Sequence, residues 1–325
     1  MKNKKQISYA IKIGVILLLF FGLWYKVSNN QNINDILSFL ETTMNDNQSQ
    51  KFIIVCLCLM PINWLLESFK WQILISKIQK INWIRSYKAI LAGVTVSIFT
   101  PNRIGEYAGR VLFVHHNNRI QAVFSTLISS IGQLTSTLIF GSISIYLFYL
   151  NEYKHTGNSW IDNYLLALLI VMISTLIILF VSTPSLISLL RKLKALRKVK
   201  KYVSFFNRYS VYELLKILTI SILRYSVYSL QLYLILHAFG VELSISQGIT
   251  LIPITFFIMT IIPSIALAEL GIREAVALTV IGTASDNTIG ILSATFMLWT
   301  INLVVPAILG SLFILQSRIF KRSNS

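Results

Sequence analysis

Acidic residues are scarce in this chain. Against 29 Lys and Arg stand only 12 Asp and Glu in 325 residues, a formal net charge of +17. Charge of either sign is itself sparse, at 13%, while 55% of residues are hydrophobic and mean hydropathy is +0.68. A soluble enzyme built from this mixture would lack the polar surface it needs. Cysteine is almost missing: Cys56 and Cys58 lie inside one apolar run and on different faces of a helix. With no histidine beside them they argue against a disulfide framework or a zinc site. The four histidines, His115, His116, His155 and His237, form no ligand pattern. No P-loop, GxSxG or HExxH motif occurs either. Neither metal nor cofactor is expected, and no residue is assigned a catalytic role.

What the chain does have is long apolar runs, several of them near the roughly 20 residues that cross a bilayer. Full spans are expected at 9–27, 52–75, 121–150, 163–183, 213–238 and 289–316. The first follows a basic start but no small-residue cleavage pattern, so it reads as a retained anchor. The basic residues crowd the short connections, which argues against a nucleic-acid partner and for the positive-inside pattern. Lys2, Lys4 and Lys5 precede the first span; Lys77, Lys80, Arg85 and Lys88 follow the second; Arg318, Lys321 and Arg322 close the chain. The densest run, Arg191–Lys201, suits an anionic cytoplasmic lipid face, at about 1 kcal/mol per Lys or Arg. The opposite connections carry little beyond Lys51 and Lys154. Both termini are therefore expected in the cytoplasm.

Two stretches, 87–115 and 246–283, do not fit as simple spans. The first holds an apolar segment too short to cross, broken at Pro101 and followed by Arg103, Glu106 and Arg110. It reads as a re-entrant hairpin, with a second short helix capped near Asn102. Leu243–Ala268 is uncharged and long enough to span alone, but a seventh span would put the basic tail outside. Parity favours a second re-entrant hairpin, turning near Pro263. Pro263 lies 263 − 101 = 162 residues beyond Pro101, and the same offset carries 51–75 onto 213–237. The fold class expected is thus an all-α polytopic membrane protein of six full spans plus two re-entrant helical hairpins arranged as an inverted repeat. Its halves would be 1–150 and 151–325, joined through a basic cytoplasmic linker at 184–212.

Ionisable residues at membrane depth mark pathways and relays more often than not. In the first hairpin, Arg103 and Arg110 provide bidentate phosphate donors. The free N–H groups of the returning helix add an anion-friendly end. Gly105 and Gly109 permit close helix approach, and Glu106 pairs with Arg110 at i,i+4. The second hairpin answers with Glu269, Gly271, Arg273 and Glu274, where Glu269 and Arg273 repeat the i,i+4 pairing. Internal salt bridges that only stabilise two short helices are the alternative for both clusters. Two spans carry polar faces as well: Asn63, Glu67 and Lys70 on one, Arg224, Tyr228 and Gln231 on the other. Both faces should turn toward the hairpins. Lys70 either pairs with Glu67, snorkels, or meets ligand. Arg224 has no acid on its own face, so a hairpin acid, Glu106 or Glu269, is its expected partner.

The elements P-x-R-x-G-E-x3-R (Pro101, Arg103, Gly105, Glu106, Arg110) and G-x-R-E (Gly271, Arg273, Glu274) carry a family resemblance. With the span layout, they make the chain resemble the flippase-like transmembrane region of the lysylphosphatidylglycerol synthase family and its stand-alone integral membrane relatives. The second hairpin departs from the pattern, with "SIALAEL" where a glycine-rich turn is usual. The resemblance implies handling of a lipid with a charged, phosphate-bearing headgroup and its translocation between leaflets. The chain ends soon after the last span, so the soluble lysyltransferase domain is expected to be absent and lysine transfer does not carry over. In this reading Arg103, Arg110 and Arg273 hold the phosphate, while Glu106, Glu269 and Glu274 orient them or meet a cationic headgroup. Partners would be a membrane phospholipid or other lipid-linked anion, with a homo-oligomer or a separately encoded lipid-modifying enzyme as further possibilities. Two other function classes remain open: an enzyme acting on a lipid-linked substrate, and a non-transporting partner of a cell-envelope lipid enzyme.

Overall fold

A computed structural model describes residues 38, 41, 43, 45–98, 100, 103–153, 159–185, 208–262 and 269–316. The expected first span at 9–27, most of the basic linker, and the two turn prolines Pro101 and Pro263 lie outside the described residues. Those described are helical with no strand. In chain order the helices are α1 (Asn47–Ile75), α2 (Trp83–Ser97), α3 (Gly105–Val111), α4 (Arg119–Tyr153) and α5 (Ser159–Val181). After the linker come α6 (Val211–Ala238), α7 (Ile245–Ile261), α8 (Glu269–Ile281), α9 (Thr288–Trp299) and α10 (Val305–Gln316). A π-helical turn, Thr300–Val304, fuses α9 and α10 into one rod. Among the described residues, five helical stretches are long and apolar enough to cross a membrane: α1, α4, α5, α6 and the α9–α10 rod. Each overlaps an expected span. α5 is the most apolar and the least buried of them, as a lipid-facing helix should be.

Local chemistry explains where the helices begin. Asp46 caps α1 by accepting from the Ser49 N–H at 2.8 Å. Ser210 with Glu213 and Ser244 with Gln247 form reciprocal capping boxes at the starts of α6 and α7. The π turn also has a local cause. Pro306 has no N–H with which to close an α turn on the carbonyl of Asn302, four residues back.

The first short pair, α2 and α3, folds back on itself as a tight antiparallel hairpin. Gly105 sits against the Val96 carbonyl and Gly109 against the Ala92 carbonyl, where any side chain would collide. The second pair, α7 and α8, is likewise broken after Ile261 and resumes at Glu269, so Leu243–Ala268 is not one continuous helix. The helix starts at Trp83 and Ile245 are 245 − 83 = 162 residues apart.

Each short pair is braced by a long helix distant in sequence, α2 by α10 and α7 by α4. On one side, Thr95 of α2 donates its hydroxyl to the Ala307 carbonyl of α10 at 2.8 Å, and Gly310 seats on the Leu91 carbonyl. On the other, Ser144 of α4 donates to the Ile249 carbonyl of α7 at 3.0 Å, and Gly141 makes room for Phe257. Between these braces α1 and α6 pack directly on each other, the Gln231 amide donating to the Cys56 carbonyl at 2.9 Å. Cys56 is buried in that contact and Cys58 is exposed, on opposite faces as the spacing requires. The common core runs through α1, α2, α6 and α9–α10, with Trp71 and Trp299 among its most deeply buried side chains.

Candidate functional site

One turn of α1 carries the most charged spot in the interior. Glu67 is 4% exposed, yet it is surrounded by cations from three helices. Lys70, one turn along α1, lies 2.8 Å from Oε2; Arg110 of α3 lies 3.0 Å from Oε1; Arg224 of α6 lies 3.5 Å from Oε2. The Ser129 hydroxyl of α4 donates to Oε1 at 2.9 Å. A carboxylate this deep survives as an ion only with such compensation. Arg110, 1% exposed, also holds Glu106 at 2.7 Å, the pairing its i,i+4 spacing required. Lys70 donates its remaining reach to the Ser221 hydroxyl at 3.2 Å.

Arg224 corrects an expectation. Its acid is Glu67 on the neighbouring span, reached across the α1–α6 contact, and not Glu106 of a hairpin. Arg224 also donates to Gln133 Oε1 at 3.1 Å and lies over the face of Trp64, 5.1 Å from the ring centroid. The side chain of Glu269 falls outside the described residues.

The start of the returning hairpin helix is a second correction. α3 begins at Gly105, with Ile104 at the capping position and no side-chain bond there. Its first donor is already taken: Gly105 N–H donates to Thr100 Oγ1 at 2.7 Å. With seven residues and an occupied first donor, α3 offers no open anion-binding terminus of the expected kind. The cation that matters there is Arg103, whose backbone takes φ +56. That left-handed conformation is costly for any residue with a β-carbon. It is held by an Arg103 N–H bond to the Thr100 carbonyl at 3.3 Å, and the residue lines the central cavity.

That cavity has two adjoining lobes with Trp64, Arg103, Gln133, Arg224 and Arg273 in the walls of both. The inner, about 280 Å³, is walled by Trp64, Tyr225, Tyr228, Phe256 and Trp299, with Asn63 and Asn302 among them. The outer, about 690 Å³, includes Glu67, Glu106, Arg110 and Ser129, and is edged by Leu127, Leu134 and Ile261. These last three are exposed at the helix surfaces, so the polar interior meets an apolar rim. Arg103, Arg224 and Arg273 border both lobes. Arg273 of α8 donates to the Tyr228 hydroxyl at 3.3 Å. Among the described lining residues, four arginines (Arg103, Arg110, Arg224, Arg273) face two glutamates, Glu67 and Glu106.

The sequence-derived residues therefore divide. Asn63, Glu67, Arg103, Glu106, Arg110, Arg224, Tyr228 and Arg273 come together around one cavity. Lys70 stands behind Glu67 and borders neither lobe. Gln231 turns instead into the α1–α6 contact. Glu274 is buried in α8 but lines neither lobe. Gly271 lies inside the first turn of α8, not at a bend, and a β-carbon there meets nothing among the described residues. Trp64, Ser129, Gln133, Ser221 and Asn302 were missed. Ser129 and Gln133 share a face of α4 at i,i+4, a polar pair that the long apolar run concealed. Asn302 owes its position to the π turn, and its Oδ1 accepts from Asn63 Nδ2 at 3.1 Å.

The family described as lysylphosphatidylglycerol synthase TM region matches residues 8–310. No match was found among curated proteins.

Proposed function

Because the chain belongs to the lysylphosphatidylglycerol synthase TM-region family, and so is a multi-pass membrane protein with a lipid-related role, we propose that it binds a lipid with a phosphate-bearing headgroup and moves it between leaflets. One observation carries the reading: Arg103 of the first hairpin and Arg273 of the second border the same cavity as Arg224 of a span. Three guanidinium groups around one low-dielectric cavity hold a phosphate ester far more strongly than the same groups would in bulk water. The rim of Leu127, Leu134 and Ile261 lets acyl or prenyl chains stay in the hydrocarbon while the headgroup crosses.

In this reading the two hairpins are re-entrant, and the halves are inverted copies related by a pseudo-two-fold axis in the membrane plane. The reciprocal bracing of α2 by α10 and of α7 by α4 supports such a pairing. So does the 162-residue offset of the hairpin starts. Both termini then lie in the cytoplasm, on the inner face of a bacterial cytoplasmic membrane, and the protein catalyses no covalent step of its own. Glu67 and Glu106 fix Arg110 and Arg224 in place, so that the site is charged before lipid arrives.

Reconstitution tests it. Purified protein in proteoliposomes should accelerate the exchange of a fluorescent anionic phospholipid between leaflets, with Arg103→Ala and Arg273→Ala each slowing it by about tenfold or more. Scrambling that proceeds unchanged in both variants would remove the arginines from the pathway.

A further inference from the structure

Building on the lipid-moving reading for what the motion serves, we propose that the π turn at Thr300–Val304 is a hinge. At it, α10 and the first hairpin swing as one body against α9, with Asn63 and Asn302 as the latch.

The rod changes its packing partners at that turn. α9 packs chiefly on α8 and α6, and α10 on α2, while the turn between them touches α1. α10 runs antiparallel along α2 and meets it at three successive levels. Lys88 lies over the Phe313 ring at 5.1 Å, Gly310 seats on the Leu91 carbonyl, and Thr95 donates to the Ala307 carbonyl. α3 is bound to α2 as tightly, since Gly105 and Gly109 leave no room for a side chain between them. Helices interlocked so closely move together, which makes α2, α3 and α10 one body. The start of α9 is tied elsewhere: Asn287 Nδ2 donates to the Phe239 carbonyl at the end of α6 at 3.0 Å.

The turn is also where the rod bends most easily. The Val305 N–H reaches back five residues to the Thr300 carbonyl. Pro306 has no N–H to offer the Asn302 carbonyl. A helix that loses regular bonds at one point yields there before its α segments do. Polar groups with nothing to bond gather at the same place: Asn63 Oδ1 and Thr300 Oγ1 are buried without a hydrogen-bond partner. Such unmet groups raise the energy of this setting and narrow its gap to one that pairs them.

The Asn302 side chain straddles the joint. Its Oδ1 accepts from Asn63 Nδ2 of α1 at 3.1 Å, and its Nδ2 donates to the Leu298 carbonyl of α9 at 3.3 Å. Asn63, Asn302 and Leu303 all wall the inner lobe, so a swing at the turn reshapes that lobe directly. Arg103 travels with the first hairpin, whereas Arg224 and Arg273 stay with α6 and α8. The motion therefore resets the spacing of the cavity arginines. The Arg110–Glu67 pair, at 3.0 Å, bridges the moving boundary.

Spin labels test the hinge in the full chain, with Cys56→Ala and Cys58→Ala as background and nanodiscs of phosphatidylglycerol and phosphatidylethanolamine as membrane. A label at Leu312→Cys of α10 is paired with Leu215→Cys of α6 or with Ile84→Cys of α2, all exposed positions. The α10–α6 distance should take two values and the α10–α2 distance one. Pro306→Ala should leave a single α10–α6 value and slow lipid exchange in proteoliposomes by about tenfold or more. Asn302→Leu should keep both values and shift their ratio by about threefold or more, as loss of one hydrogen bond does. A single α10–α6 value with Pro306 and Asn302 in place, or two α10–α2 values, overturns the hinge. Two α10–α6 values that survive Pro306→Ala remove the π turn from it, and an unchanged ratio in Asn302→Leu removes the latch. Two α10–α6 values in a protein that exchanges no lipid overturn the translocating reading and leave the hinge standing.

Discussion

Glu67 is one carboxylate serving cations on three helices: Lys70 on α1, Arg110 on α3 and Arg224 on α6. Removing it leaves those cations facing one another in a nearly dry interior, whereas removing Lys70 leaves the carboxylate two partners. Glu67→Gln should therefore destabilise by about 3–5 kcal/mol, as breaking a buried ion pair does, and Lys70→Met by clearly less. Thermal unfolding in detergent gives the order directly, and equal losses would contradict the hub. At this scale the sequence was informative wherever partners share a helix. The Glu106–Arg110 and Glu67–Lys70 pairs follow from i,i+4 and i,i+3 spacing. The partner of Arg224 did not, because no spacing within α6 reveals which face of α1 it will meet. Nor could the φ of +56 at Arg103 be read, since it arises from how Thr100 ties down the turn.

At the scale of elements, the glycines separate structural need from composition. Gly109 lies flush on the Ala92 carbonyl, but a side chain at Gly271 meets no described neighbour. Gly109→Val should part α2 from α3 at a cost of about 1–3 kcal/mol, in line with overpacking a filled contact. Gly271→Ala should be neutral, or stabilising by up to about 1 kcal/mol through helix propensity. The comparison is made by melting temperature in the same detergent. The four-residue spacing of Gly105 and Gly109 made the first contact legible. By contrast, the π turn at Thr300–Val304 was hidden. Pro306 announces that one α-helical bond is lost, but whether the helix there kinks, breaks or closes at five residues depends on its packing. The helix start expected near Asn102 falls at Gly105, because capping chemistry in a sequence does not show how Thr100 and the left-handed Arg103 shape the turn before it.

The whole molecule is governed by the uneven placement of its 29 Lys and Arg. If the basic connections all face the cytoplasm, a green fluorescent protein fused after Ser325 should be bright, and an alkaline phosphatase at the same point inactive. The opposite result, with the N-terminus inside, would require an odd number of crossings, which two halves of three spans each cannot give. Segment lengths and charge were enough to anticipate the five membrane-length helices among the described residues, and that 87–115 and 246–283 are not single unbroken helices. Hydropathy registers length and polarity at every scale. It is silent on which helix touches which, and the cavity exists only through those contacts.

The brace between Thr95 and Ala307 spans 212 residues of chain, and this sets an order of events during synthesis. When α2 and α3 leave the ribosome, the helix that supports them has not yet been made, whereas α7 emerges to find α4 already in place. The first hairpin must wait, part-assembled, through the production of nearly everything else. A chain truncated before Thr288 should therefore expose a Thr95→Cys thiol to maleimide that the full chain protects. The last helix to be born completes the first fold to begin.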